Sequence, residues 1–173
     1  MKVAFVGLGS MGAPQARLIA RGGYELAVCD AAPAAGDAFR GIARVARSPA
    51  DAAQGAQIAC VCVRDDRQVE EVVLGAAGLV ESLAPGALVL IHSTIEIETL
   101  HRLQVPLKAR GINLVDAPVS RTRPTDDAAF VFTMMGGEPD DVDRARAVVG
   151  TFSTDVDHMG PLGAGMAAKI ANN

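Results

Sequence analysis

Short apolar runs alternate along the chain with longer segments that have helical periodicity. The runs are rich in Val, Ile, Leu and Ala and are bounded by Gly, Pro, Asp and Ser, which is typical of buried strands. We predict strands at 2–7, 24–30, 42–46, 56–63, 86–94, 112–120, 128–137 and 151–160.

The segments between these strands predict helices with recognisable ends. Gly22 and Gly23 close the first helix, and Ser48 with Pro49 places an N-cap and a first helical residue before another. Pro106 is expected to disturb the last turns of the helix over 95–111. Alternating strands and helices predict an open, mostly parallel α/β sheet, and right-handed crossovers place helices on both faces.

Composition and charge narrow the class of protein. The chain has 173 residues, of which 50% are hydrophobic and 3% aromatic, so one globular domain with an aliphatic core is expected. A net charge of −4 argues against a nucleic-acid partner. No apolar stretch approaches the roughly 18 residues of a membrane helix. The first residues lack the layout of a signal peptide, and we expect a cytoplasmic protein. Cys29, Cys60 and Cys62 are interpreted as core residues, and no metal site is predicted.

The stretch GLGSMG follows the first strand and opens the first helix. In such a turn Gly7 permits the tight bend, Gly9 admits a pyrophosphate close to the backbone, and Gly12 allows close packing of helix and strand. Free N–H groups and the helix dipole supply affinity for the anion. The motif predicts a Rossmann-type, doubly wound fold and a dinucleotide site formed by Gly7, Leu8, Gly9, Ser10, Met11 and Gly12.

Asp30 ends the second predicted strand, 23 positions after Gly7. A carboxylate at this place accepts hydrogen bonds from the adenosine ribose and repels a 2′-phosphate. No Arg or Lys follows it before Arg40. We therefore expect NAD as the cofactor, with NADP less favoured.

Further motifs, in a fixed order, extend over the whole chain. DAPVS stands at 116–120, and a helix near the end carries Gly163, Gly165, Lys169 and Asn173 in a set spacing. Together with GLGSMG, they resemble the β-hydroxyacid dehydrogenases, the family typified by 3-hydroxyisobutyrate dehydrogenase.

The resemblance implies an NAD(P)-dependent oxidation of a small β-hydroxy acid. It makes Lys169 the catalytic lysine that exchanges a proton with the substrate hydroxyl, with Asn173 one helical turn away on the same side. Ser120 matches the residue that binds the substrate carboxylate. The resemblance assigns contacts with the cofactor to Val63, Arg64 and Thr94. It also implies that the full-length protein is a homo-oligomer.

The residues after DAPVS depart from the family. Arg121 and Thr122 stand where the family has glycines, and both are taken as substrate-binding candidates. In one interpretation Arg121 or Arg123 binds a second anionic group, so that the substrate is a dicarboxylate or a larger acid. In the other, both arginines lie on the surface and Ser120 acts alone. His92, beside the Ser-Thr pair, is interpreted as a neighbour of the site without assigned chemistry.

By the resemblance, residues 1–161 form the NAD(P)-binding domain and residues 162–173 begin the interdomain helix, with the family's C-terminal all-α domain absent. A short helix without that partner is marginal. We expect Lys169 to be frayed or misplaced, and this half to bind NAD weakly and to be inactive alone.

Other readings of the same residues are less favoured. A noncatalytic dinucleotide-binding or protein-interaction module would have no need for Ser120, Lys169 and Asn173 together. The 6-phosphogluconate dehydrogenases carry His before the final Asn, where this chain has Asn172. Imine reductases generally lack the lysine.

Overall fold

The computed structural model describes residues 1–125 and 128–173, and these form nine strands and seven α-helices. The strands are β1 (Lys2–Val6), β2 (Glu25–Cys29), β3 (Arg44–Val45), β4 (Ile58–Val61), β5 (Leu88–Ile91), β6 (Asn113–Asp116), β7 (Val119–Arg121), β8 (Val131–Gly136) and β9 (Ser153–Gly160). The helices are α1 (Gly12–Arg21), α2 (Pro33–Asp37), α3 (Pro49–Ala53), α4 (Asp66–Leu74), α5 (Ile97–Ala109), α6 (Pro139–Val149) and α7 (Ala164–Asn172), with a 3₁₀ turn at Leu79–Glu81.

The strands form one sheet in the order β3-β2-β1-β4-β5-β6-β8-β7, and β9 also pairs with β8. All pairs from β3 to β6 are parallel, as is the pair of β8 and β9. Among the described strands, the antiparallel pairs are those of β8 with β6 and of β8 with β7. The predicted mostly parallel α/β sheet is confirmed.

Helices cover both faces of the sheet, as predicted. Alternate residues of β1 belong to different cores: Ala4 and Val6 pack on one face, Val3 and Phe5 on the other. The first core receives apolar residues of α3, α4 and α5, and the second those of α1 and α6. The strands β1, β2, β4, β5 and β6 are buried on both faces, which explains why they appear in the sequence as continuous apolar runs.

Two predicted elements differ in detail. The segment predicted as one strand at 112–120 is two strands, β6 and β7, interrupted at Ala117 and Pro118. Proline has no N–H for a sheet ladder, so pairing breaks there and β7 turns onto β8. Helix α5 continues through Pro106 to Ala109, because the fully buried Leu103 and Leu107 hold it against the sheet.

No helix within the described part of the chain combines the length and apolarity needed to cross a membrane.

Candidate functional site

A cleft of about 1200 Å³ opens at the carboxyl ends of β1, β2, β4 and β5. In open α/β sheets this edge is where ligands bind. Thirteen of the residues predicted from the sequence line this cleft: Gly7, Leu8, Gly9, Ser10, Met11, Gly12, Asp30, Val63, Arg64, Thr94, Arg121, Lys169 and Asn173. The structure therefore brings the glycine-rich loop and the lysine helix to one continuous site.

The glycines of the loop are required for different reasons. Gly7 has a positive φ of 100°, and a Cβ there would collide with the carbonyl of Cys62. A Cβ on Gly12 would collide with the carbonyl of Gly7. A Cβ on Gly9, in contrast, would meet no protein atom within 4 Å. The packing of the chain explains Gly7 and Gly12, whereas Gly9 borders open space in the cleft.

Helix α1 begins at this loop without a side-chain cap. Uncapped N–H groups at a helix N-terminus attract anions. The uncapped helix and the space beside Gly9 fit the pyrophosphate of a dinucleotide.

Asp30 lies where the sequence analysis placed it and has a structural role that the sequence analysis missed. Its Oδ2 accepts a hydrogen bond from the backbone N–H of Leu8 at 2.7 Å, and its Oδ1 accepts one from Ala32 N at 2.8 Å. The carboxylate thus connects the end of β2 to the glycine-rich loop Gly7–Gly12, which we call the phosphate loop.

Two arginines of the cleft were missed. Arg47 and Arg67 line the same cleft as Asp30, whereas Arg40 pairs with Asp37 on the surface. In the sequence, Arg40 is the first cation after Asp30, and Arg47 and Arg67 lie beyond it. Arg47 follows β3, and its position at the end of that strand was the signal that it returns to the same edge of the sheet.

The loops after β4 and β5 meet in the middle of the cleft. The backbone N–H of Val63 donates to Ser93 Oγ at 2.8 Å, and the N–H of Arg64 donates to Gln68 Oε1 at 2.9 Å. Thr94 follows Ser93 and is exposed to the cleft. Ser93, a further residue missed from the sequence, therefore joins the two loops.

The lysine lies at the far end of the cleft. Lys169 Nζ donates a hydrogen bond to Ser120 Oγ at 2.8 Å. Burial lowers the pKa of Lys169 below the ordinary value of a lysine. Asn173 lines the cleft one turn further on.

The expected fraying or displacement of Lys169 is not what the structure has. Helix α7 is regular as far as Asn172. Its first turn is held by the carboxylate of Asp116, which accepts hydrogen bonds from Gly163 N and Met166 N, each at 2.7 Å. The expectation neglected this contact, which links residues far apart in the sequence.

The structure separates the three polar residues after Ser120. The guanidinium of Arg121 lies in the cleft, with Nη2 at 3.2 Å from Met11 Sδ, and forms no ion pair among the described residues. Thr122 does not line the cleft, because its hydroxyl donates to the carbonyl of Phe130 at 3.0 Å. Arg123 donates from Nε to the carbonyl of Ala129 at 2.5 Å. Of these, only Arg121 reaches the site.

His92 is buried in the wall of the cleft between two aromatic rings, Phe5 and Phe152. Its Nδ1 lies 2.9 Å from the carbonyl of Ala117, which can only accept, so Nδ1 carries the proton. Its Nε2 has no partner within the described part of the chain. Burial lowers the pKa of His92 to about 4, and the ring is neutral at pH 7.

The cysteines differ in burial. Cys29 and Cys60 are buried, as predicted, whereas Cys62 is half-buried; Cys29 and Cys62 both line the cleft. Residues 1–125 and 128–173 contain no group of three His, Cys, Asp or Glu side chains placed to hold a metal ion.

Known proteins are similar to this chain in sequence and in fold. The family described as "NAD binding domain of 6-phosphogluconate dehydrogenase" matches residues 2–160. An NAD-dependent L-serine dehydrogenase of Pseudomonas aeruginosa is 36% identical over 173 residues, covering 99% of this chain and 58% of the relative. A 3-hydroxyisobutyrate dehydrogenase of the same organism is 34% identical over 175 residues, with coverages of 99% and 58%.

The crystallised 3-hydroxyisobutyrate dehydrogenase of Mycobacterium tuberculosis, described with L-serine, superposes with a TM-score of 0.89 at 28% identity. The superposition covers 99% of this chain and 58% of that one. The chain thus spans less than two thirds of the length of these relatives. From the matched residues and the shared fold we conclude that this chain belongs to the β-hydroxyacid dehydrogenase family, as its Rossmann-type NAD-binding domain.

Proposed function

We propose that this chain supplies the cofactor cleft and the catalytic lysine of an NAD-dependent dehydrogenase that acts on a small β-hydroxy acid. One observation carries the proposal: Lys169, which lines the same cleft as the phosphate loop, places its Nζ 2.8 Å from Ser120 Oγ. An amine with a lowered pKa at the end of a dinucleotide cleft is suited to proton transfer beside a hydride transfer.

The cofactor would be held mainly by backbone groups. The loop Gly7–Gly12 and the uncapped N-terminus of α1 would bind the pyrophosphate, and Asp30 would bind the adenosine ribose. When bound, NAD supplies the acceptor for the hydride. Asp30 favours NAD by repelling a 2′-phosphate, and Arg47 is the nearby cation that this repulsion must outweigh.

Lys169 would accept the proton of the substrate hydroxyl. Its bond to Ser120 uses one N–H of the amine, so the lone pair of the neutral form stays available for that proton. The lowered pKa increases the fraction of neutral amine near pH 7. Asn173, on the next turn, would orient the hydroxyl by its amide group.

The substrate would be bound by its negative charge. Ser120 would bind the carboxylate, and Arg121 would bind a second anionic group, because it reaches the cleft without a carboxylate partner among the described residues. L-Serine and 3-hydroxyisobutyrate, named for the relatives, each carry a hydroxyl on the carbon β to a carboxylate. We propose a compound of this class, with a further anionic group near Arg121.

The decisive experiment is a titration of the chain with NADH and NADPH, observed by the fluorescence of the nicotinamide. The chain has no tryptophan to serve as an energy donor. We expect tighter binding of NADH, and a loss of about tenfold in NADH affinity in Asp30→Asn, which gives up a carboxylate oxygen. Asp37→Asn, at an exposed carboxylate outside the cleft, is the matched control and should bind as the wild type does. Tighter binding of NADPH would contradict the role of Asp30, and binding of neither would contradict the role of the cleft.

A further inference from the structure

We infer that Asp116 is the positioning residue of Lys169: its carboxylate caps helix α7 and thereby holds Nζ against Ser120. The inference rests on the role proposed for Lys169. It assigns to the Asp of the DAPVS segment a part in the reaction that involves no contact with substrate or cofactor.

The carboxylate of Asp116 takes the place of an N-cap that α7 lacks. The residue at the N-cap position is Gly163, which has no side chain and a φ of 94°. Asp116 is fully buried, and its two oxygens accept from Gly163 N and Met166 N, each at 2.7 Å. Helix N-termini need such acceptors, and a charged acceptor also interacts favourably with the helix dipole. Here the acceptor comes from the end of β6, 47 residues earlier in the chain.

Two glycines make room for this carboxylate. A Cβ on Gly165 would lie 2.5 Å from the carbonyl oxygen of Met134 and 2.9 Å from Asp116 Oδ2. A Cβ on Gly136 would collide with Asp116 Oδ1. Neither contact is possible for a real Cβ, so α7 can approach β8 and the carboxylate only because both positions are glycine. The contact therefore fixes how deeply α7 is seated.

The same short segment also supplies the hydrogen-bond partner of Lys169. Asp116 ends β6, and Ser120 lies in β7 four residues later. One end of α7 is bonded to Asp116 through Met166, and three residues on, Lys169 is bonded to Ser120. A helix attached to one rigid segment at both points has a defined position and rotation. Without the cap, only the Lys169–Ser120 bond holds the helix against that segment, and that bond includes a flexible side chain.

Opposing effects act on the ionisation of Asp116. Burial raises the pKa of its carboxyl above the ordinary value, and hydrogen bonds from the backbone N–H groups of Gly163, Met166 and Gly165 act against that rise. Asparagine keeps one carbonyl oxygen and replaces the other by an amide nitrogen, so the backbone donors at one of the two positions would lose their acceptor. Asp116→Asn is therefore a nearly isosteric way of weakening the cap and removing its charge.

The test measures Lys169 directly. The chain has three lysines, Lys2, Lys108 and Lys169, so lysine side-chain labelling gives an NMR spectrum with three signals. In Asp116→Asn we expect the pKa of Lys169, which burial lowers in the wild type, to rise toward the ordinary lysine value, while the titrations of Lys2 and Lys108 do not change. We also expect amide hydrogen exchange in α7 to accelerate on the order of tenfold.

Two further variants separate positioning from a general loss of stability. Asp65→Asn makes the same chemical change at an exposed cap of α4, where Asp65 Oδ1 accepts from Gln68 N at 2.8 Å. It should leave the titration of Lys169 unchanged. Gly165→Ala keeps the carboxylate and pushes α7 away from it, so it should raise the pKa of Lys169 as Asp116→Asn does. If Asp116→Asn does not fold, Gly165→Ala still tests the inference.

The inference would be overturned if the pKa of Lys169 in folded Asp116→Asn or Gly165→Ala equalled the wild-type value. It would also be overturned if Asp65→Asn changed the pKa of Lys169 by the same amount. NADH binding, measured on the same samples, distinguishes this failure from failure of the proposed function. If the wild-type chain does not bind NADH, the proposed function is wrong. If the chain binds NADH but the pKa of Lys169 is the same with and without the Asp116 carboxylate, only the inference is wrong.

Discussion

The two ends of the cleft are built in different ways. At the phosphate loop, six consecutive residues, Gly7–Gly12, line the cleft, and two of the three glycines are needed for the loop's own packing. At the lysine end, Asp116 and Ser120 contact residues of α7 that lie 47 to 50 positions further along the chain. Affinity for a common cofactor can thus be encoded locally, whereas the placement of a reactive side chain depends on long-range packing.

Among the variants that test this difference between the two ends of the cleft, Gly9→Val should have the largest effect. The added side chain meets no protein atom at its Cβ, so the fold and thermal stability should be retained, while the space for the pyrophosphate is filled. NADH affinity should fall at least roughly 100-fold, or about 2.8 kcal/mol at 1.4 kcal/mol per tenfold. Nicotinamide fluorescence measures the affinity, and thermal unfolding verifies the fold.

Gly9→Ala provides a graded control for this experiment and should give a smaller loss of affinity. If Gly9→Val bound NADH as the wild type does, the dinucleotide would not approach this glycine. Binding of the dinucleotide at the phosphate-loop end of the cleft would then have to be assigned to other residues.

A second, smaller effect, on the pH dependence of stability, should come from His92. This residue contacts both β1, which precedes the phosphate loop, and Ala117, which follows Asp116. Its ring stacks on Phe5 of β1 below the phosphate loop, and its Nδ1 donates to Ala117 beside Asp116. The pKa of His92 is about 4 in the folded chain, below the ordinary 6.5, so the unfolded chain binds the proton more readily. Stability should be complete above pH 6.5 and decrease as the pH falls toward 4. The loss between pH 7 and pH 5 should be about 2 kcal/mol, at ~1.4 kcal/mol per pH unit.

Chemical denaturation at the two pH values measures this change. His92→Gln should reduce the difference by that amount, and His101→Gln, at an exposed position of α5, should retain it. Equal pH dependence in His92→Gln and the wild type would show that His92 is not the group that titrates.

The smallest of the three effects concerns the lysine end. Arg121→Met should weaken binding of a dicarboxylate such as hydroxymalonate to the NADH-loaded chain by about tenfold, or ~1.4 kcal/mol, and should hardly affect 3-hydroxypropionate, which has one carboxylate. Calorimetry measures both. Arg123→Met is the matched control, because Arg123 bonds to Ala129 away from the cleft. If Arg121→Met and Arg123→Met lost the same affinity for the dicarboxylate, the loss would be a general effect of charge. Arg121 would then be a surface residue without a role in binding the substrate.

Local signals predicted much of the fold. The buried strands, the N-cap Ser48 with Pro49, and the turn at Gly7 each depend on residues that are close in sequence. The break at Pro118 and the continuation of α5 through Pro106 were missed. At Pro118 the missing N–H of proline interrupts the strand, as its local preference would have indicated. At Pro106 the burial of Leu103 and Leu107 outweighs that preference, and the helix continues.

The sequence by itself determined the order of the elements, the phosphate loop and the family, because each is a pattern of neighbouring residues. Tertiary structure alone decided that Arg121 reaches the cleft while Thr122 and Arg123 do not, and that Asp116 caps the lysine helix. These outcomes depend on the direction of a side chain relative to its partner in the fold, which lies 6 and 8 residues away for Arg123 and Thr122 and 47 residues away for Asp116. Such a direction is set by packing, which no local pattern records.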